Sequence, residues 1–137
     1  MSDPLLIDTD VWVEGERRPL AVADWLANQD DVATCEVVWA EFLIGVHAAA
    51  QASTRAKARR YFEEIVSAPI CLPIEGGDFE RAARLIGEAI RAGKARPTLG
   101  DGLIAACALR SGRWVATGND KDFQAMGVPT VNPLARL

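Results

Sequence analysis

Short apolar runs alternate with helical patterns along most of this chain, and that alternation constrains the fold more than any other feature. Pro4-Leu5-Leu6-Ile7-Asp8 is an apolar run bounded by a proline and an acid, and it reads as a buried strand. Asp31 to Thr34, Pro69 to Ile74 and Trp114 to Thr117 read as further strands. Pro129 to Val131 reads as a last edge strand, where proline is tolerated. Helical spacing fills the intervals: Leu20 to Asn28, Glu36 to Ala50, and an amphipathic stretch from Ser53 to Val66 with Ser53 as its cap. Asp78 is placed to cap a helix that runs to about Ala92 and is ended by Gly93. Asp101 opens another, through Arg110, closed by Gly112. Strands separated by helices predict a parallel α/β sheet covered on both faces. Ligands of such sheets bind beyond the carboxyl ends of the strands.

A chain of 137 residues, half of them hydrophobic, fits one domain, expected to span residues 1–137. No stretch approaches the roughly 20 apolar residues of a membrane span. The start, Met1-Ser2-Asp3-Pro4, lacks the basic region of a secretory signal. Cys35, Cys71 and Cys107 form no CxxC pair and point to reduced thiols in a cytoplasmic protein. His47 is the one histidine, which argues against His/Cys zinc sites, and it reads as a helix-surface residue. Trp25 and Trp39 fall in apolar helical patterns and read as core, whereas Trp12 is expected to be exposed at a partner surface.

Acids stand where a ligand site of such a sheet would lie. Asp8 ends the first strand; taken alone, it reads equally as an Asx turn or the cap of a following helix. Between Glu36 and Ala50 the polar side chains are Glu36, Glu41 and His47. A helix apolar nearly all round is buried. Glu36 suits the helix dipole, but Glu41 is mid-helix, and a buried carboxylate is costly unless it is paired or binds a metal. Asp101 precedes the apolar run Leu103 to Leu109 and by itself reads as an N-cap. The fourth strand leads into Gly118-Asn119-Asp120-Lys121-Asp122-Phe123. Carboxylates brought together at strand ends repel one another, and a cation relieves the repulsion. Magnesium suits oxygen ligands and retains waters.

At these residues the sequence resembles the PIN-domain nucleases, and specifically the toxins of VapBC toxin–antitoxin pairs. The matching segments are Leu5-Leu6-Ile7-Asp8-Thr9, Ala40-Glu41-Phe42-Leu43-Ile44-Gly45, Asp101-Gly102-Leu103-Ile104-Ala105-Ala106, Thr117 to Phe123, and the closing Val131-Asn132-Pro133-Leu134. Each motif is short, but the ordered set spans nearly the whole chain. The resemblance implies a three-layer α/β/α domain with a central parallel sheet of about four to five strands. It implies a Mg²⁺- or Mn²⁺-dependent endoribonuclease that forms a homodimer. A cognate VapB-type antitoxin would inhibit it by laying its C-terminal segment in the active-site groove. Asp8 matches the first acid, Glu41 the second and Asp101 the third, while Thr9 matches a hydroxyl residue that accompanies the first. The fourth acid departs from the pattern. Asn119 stands where some members carry it, and Asp122, just before Phe123, is the favoured assignment, with Asp120 between them.

RNA contact requires local positive charge on a chain whose formal net charge is −4. Arg59 and Arg60 face Glu63 and Glu64, and Glu80 precedes Arg84 by one helical turn, so these read as solvated pairs. Lys94 and Arg96 have no acidic neighbour in sequence and are expected to touch RNA or antitoxin. Two other readings compete. Asp8-Thr9-Asp10-Val11 resembles the start of the DxDx[TV] loop of haloacid-dehalogenase-type phosphatases, which would make Asp8 a nucleophile and Asp10 its acid–base. That reading leaves Glu41 unexplained. In the other, the site is degenerate at Asn119 and the domain only binds a partner.

Overall fold

In the computed structural model, which describes residues 2–136, five parallel strands form one sheet in the order β3-β2-β1-β4-β5. They are β1 (Leu5–Ile7), β2 (Val32–Cys35), β3 (Ile70–Leu72), β4 (Trp114–Ala116) and β5 (Thr130–Val131). Helices on both faces complete a three-layer α/β/α domain. The chain builds outward from β1 through β2 to β3, then returns to place β4 on the other side of β1. The central strand therefore has neighbours on both edges and helices above and below. Its side chains are correspondingly all buried, with Leu6 and Ile7 at 0% exposure. The reversal of strand order lies beside the carboxyl ends of β1 and β4, where open α/β sheets bind ligands.

The helices are α1 (Thr9–Arg17), α2 (Pro19–Ala27), α3 (Glu36–Ala48), α4 (Ala52–Tyr61), α5 (Gly76–Arg91), α6 (Leu99–Ser111) and α7 (Asp120–Ala125). A π-helical turn, Phe62–Val66, extends α4. All the expected strands are present within a residue or two. The sequence pattern misses α1, whose apolar residues are interrupted by acids and by Gly15. A side chain at Gly15 would collide with the Tyr61 hydroxyl, which donates to the Trp12 carbonyl, so the glycine admits α4 against α1. Trp12 is fully buried there, contrary to the expectation of an exposed partner contact. Trp25 and Trp39 pack against the core as expected, and His47 is exposed.

Three helix starts differ from expectation. Gln51, not Ser53, precedes α4. Glu75 caps α5, and Asp78 sits one turn in, where its carboxylate accepts from the Glu75 N–H and from Arg110. Thr98 caps α6, which begins at Leu99 rather than at Asp101. The stretch Gly102 to Ala108 of α6 is buried without interruption. Gly102 lies against α5 so closely that an added Cβ would meet Ile86 Cδ1 at 2.5 Å. Both Gly93 and Gly112 end their helices at φ +68°, the left-handed region that glycine enters without steric cost. Among the described residues no helix is long and apolar enough to cross a membrane.

Candidate active site

Strand register alone brings the first two groups together. Ile7 pairs with Ala116, so the next residues, Asp8 and Thr117, emerge side by side from β1 and β4. The Thr117 hydroxyl donates to Asp8 Oδ2 at 2.8 Å, and the Thr9 N–H donates to Oδ1 at 2.8 Å. Asp8 thus caps α1, and it also stands beside Thr117 at the strand ends. Burial pushes its carboxyl up to about 7, and the charges of Asp10 and Asp101 add to the rise. The Thr117 and Thr9 bonds work the other way but do not offset it.

Glu41 enters from α3. Its Oε1 accepts the Thr9 hydroxyl at 2.7 Å, and Oε2 lies where a Cβ on Gly100 would meet it at 2.7 Å. The carboxylate therefore spans from the first turn of α1 to the first turn of α6. Contrary to expectation, α3 is not buried all round: Ile44 is 66% exposed, and Glu41 itself is half-buried. Partial exposure lowers the desolvation cost of Glu41, which has no arginine partner among the described residues.

Asp101 occupies the third position of α6. Its N–H donates to the capping Thr98 hydroxyl at 3.1 Å. Because Thr98 does the capping, the Asp101 carboxylate is released from that duty. Burial raises its pKa and the charge of Asp122 adds to this, against hydrogen bonds with Thr98. Asp122 is steadied by Asn119, whose Nδ2 donates to Asp122 Oδ2 at 2.9 Å. Of the three candidates for the fourth acid, Asp122 is thus the one close enough to be felt at Asp101. Asn119 orients it, and Asp120 makes no side-chain hydrogen bond among the described residues.

Asp10 and Thr117 were not singled out as site residues by the sequence motifs for cleavage. Asp10 Oδ2 accepts the Gly118 N–H at 2.8 Å and so ties the β4–α7 loop to α1. Gly118 has no room for a side chain, since a Cβ would stand 2.8 Å from that oxygen. The other Asp10 oxygen, Oδ1, is buried without a partner. Burial raises the Asp10 pKa and Asp101 adds to it, while the Gly118 N–H opposes the rise. The DxD spacing after β1 was the available signal. Lys94 and Arg96 are exposed and form no ion pair with these acids among the described residues. Lys94 instead shares a hollow with Glu88 and Arg91.

The donor set is all carboxylate and hydroxyl oxygen, with an orphaned buried oxygen on Asp10 and, among the described residues, no cationic side chain paired to it. Such a set fits a hard divalent cation. Among the described residues no group of three or more His, Cys, Asp or Glu side chains is placed to hold a metal ion as the chain stands. An ion held here would keep waters, as magnesium does.

The sequence matches the PIN domain family over residues 5–129. The chain belongs to the PIN-domain family. No curated protein matches it by sequence. A chain of the crystal structure of FitAcB from Neisseria gonorrhoeae is 26% identical, with a TM-score of 0.81 over 95% of this chain and 98% of that one. A chain of VapBC-5 from Mycobacterium tuberculosis, a member of the VapBC family of toxin–antitoxin systems, is 29% identical, with a TM-score of 0.74 over 96% and 99%. VapC20 from the same organism, described as a sarcin–ricin loop cleaving toxin, is 16% identical with a TM-score of 0.67 over 90% and 95%, a likeness of fold. Membership of the PIN family overturns the phosphatase reading of Asp8-Thr9-Asp10-Val11. In this PIN domain Asp10 Oδ2 is engaged by a backbone N–H, whereas an acid–base would present that oxygen to a leaving group.

Proposed function

We propose that this PIN domain is the toxin of a toxin–antitoxin pair and a Mg²⁺- or Mn²⁺-dependent endoribonuclease. One observation carries the reading: the carboxylates of Asp8 after β1, Glu41 on α3, Asp101 on α6 and Asp122 on α7 lie about the strand-order reversal, and among the described residues none of them is paired with a cationic side chain. VapBC-5, 29% identical to this chain, is a member of the VapBC family of toxin–antitoxin systems, which supports an antitoxin partner for this chain.

Asp8 and Asp101 would hold the cation most directly, with Glu41 and Asp122 completing the acidic shell in part through waters. When bound, such an ion supplies a water nucleophile at neutral pH and positive charge against a phosphate. The protein's own residues fix the geometry. Thr9 and Thr117 lock both oxygens of Asp8, and the Thr9 hydroxyl also orients Glu41. Asn119 fixes Asp122, whose charge is felt at Asp101. Attack by water on an RNA phosphodiester leaves a 5′-phosphate and a 3′-hydroxyl, whereas attack by the 2′-hydroxyl would leave a cyclic phosphate. Lys94 and Arg96 contact RNA or antitoxin in this proposal, and the domain acts as a homodimer in the cytoplasm.

A binding-only domain is the second reading, favoured by the absence, among the described residues, of any group of three or more His, Cys, Asp or Glu placed to hold a metal ion. Titration with Mn²⁺ separates the two. Saturable binding that is lost in Asp101→Asn, together with RNA cleavage abolished by chelator, is expected of the nuclease. Absence of both in folded wild-type protein would overturn it.

A further inference from the structure

A hollow of about 200 Å³ opens between α1, α3 and α4, with Glu41 in its lining. Val13, Val46 and Ala58 supply apolar wall, and Glu16 and Gly45 stand in its lining. Both oxygens of Glu41 are turned away, one to Thr9 and one toward Gly100. Its stem is thus the part that lines the hollow. Glu16 is half-buried and pairs with no cation among the described residues. The adjacent Arg17 and Arg18 both turn to Glu14 instead. Gly45 leaves the hollow open, since a Cβ there would meet nothing within 4 Å.

We propose that this hollow receives a nucleobase of the RNA next to the scissile phosphate and that Glu16 selects bases presenting N–H donors, guanine foremost. The inference rests on the nuclease reading and names its substrate preference. A phosphate is excluded from the hollow itself by the Glu16 carboxylate in its lining and the lack of any lysine or arginine there. A base is uncharged and flat, and its faces suit apolar walls. A carboxylate is an acceptor only. Guanine offers adjacent N1–H and N2–H donors that match its two oxygens. Cytosine and adenine each offer an amine. Uracil offers one N–H between two carbonyls that face the carboxylate unfavourably. A polar site built for one hydrogen-bonding pattern rejects the analogue that lacks it, because buried groups are then left unpaired.

Two measurements on the full chain test the proposal. The first is cleavage of an RNA set varied one base at a time around the cut. Wild type should favour guanine over uracil at one position by about tenfold or more. Glu16→Gln, which adds a donor, and Gly45→Leu, which fills the hollow, should each abolish that preference while Mn²⁺ affinity stays unchanged. An identical base profile in wild type and both variants would overturn the pocket and leave the nuclease reading standing. The second needs no cleavage: guanosine, but not uridine, should shift the NMR methyl signals of Val13, Val46 and Ala58. If neither nucleoside shifts them, the proposal fails even where cleavage does not occur. If N-acetyl-arginine amide shifts them and guanosine does not, the hollow belongs to a partner's side chain, and the proposal is likewise overturned.

Discussion

Replacing Asp8 by asparagine should stabilise the metal-free protein at neutral and alkaline pH while removing its function. Burial, with Asp10 beside it, raises the Asp8 carboxyl from an ordinary 3.8 to about 7. At about 1.4 kcal/mol per tenfold change in proton affinity, ionised Asp8 costs the native state on the order of 4 kcal/mol. In the unfolded chain this group loses its proton near pH 4, but in the native chain it keeps it until about 7. Between those values the native state binds more protons, so stability falls as pH rises. Above about 7 the whole penalty is present. Asparagine keeps the shape and cannot ionise. It turns one acceptor into a donor facing Thr9 or Thr117, a loss of about 1 kcal/mol or somewhat more. The net gain should be about 2–3 kcal/mol at pH 8, vanishing near pH 5 and becoming a loss of about 1 kcal/mol well below pH 4. Urea unfolding of both proteins in EDTA at pH 5 and pH 8 measures it. Asp10 and Asp101 are shifted the same way, so the variant should retain a shallower slope. Wild-type stability that does not fall from pH 5 to pH 8, or a variant no more stable at pH 8, would refute the reasoning.

Three further outcomes follow from the same contacts. Gly100→Ala places a methyl 2.7 Å from Glu41 Oε2 and should swing that carboxylate off the site. Cleavage should fall about tenfold while the melting temperature holds or rises, since alanine favours a helix over glycine by about 1 kcal/mol. Asp10→Ala frees the Gly118 N–H and should weaken both cleavage and Mn²⁺ binding, whereas Asp10→Asn keeps an acceptor for that N–H and should retain most cleavage. Comparing the two variants by rate and by Mn²⁺ titration checks this. Arg110→Ala strips the guanidinium from Asp78, which is buried at 2% exposure, and should cost about 2–4 kcal/mol by urea unfolding at pH 7. Burial alone would raise the Asp78 pKa, but Arg110 and the Glu75 N–H leave it lowered, so this difference should shrink as pH falls through the carboxylate range.

The sheet was legible because its inner strands are short, continuous apolar runs, as in Leu5–Ile7, which parallel packing demands. Helix α1 was not, because Gly15 and its acids answer to long-range needs: one admits Tyr61, and another binds Gly118. Glu41 stands out in the sequence as the mid-helix acid of an apolar helix, yet that helix is not completely buried, since α3 leaves Ile44 in solvent. Asp101 was visible at a helix start, but the cap proved to be Thr98 one turn earlier. Thr117 and Asp10 acquire their roles only through the β1–β4 register and the loop that follows it, contacts 108 and 109 residues apart in sequence. No local pattern encodes such pairs.

The central claim is most directly tested by inducing wild type and Asp8→Asn in cells and mapping the ends of total RNA, with growth followed in parallel. The account predicts growth arrest and discrete cuts bearing 5′-phosphates with wild type, and neither with the variant. Normal growth and intact RNA with folded, antitoxin-free wild type, or the same cuts from Asp8→Asn, would contradict it.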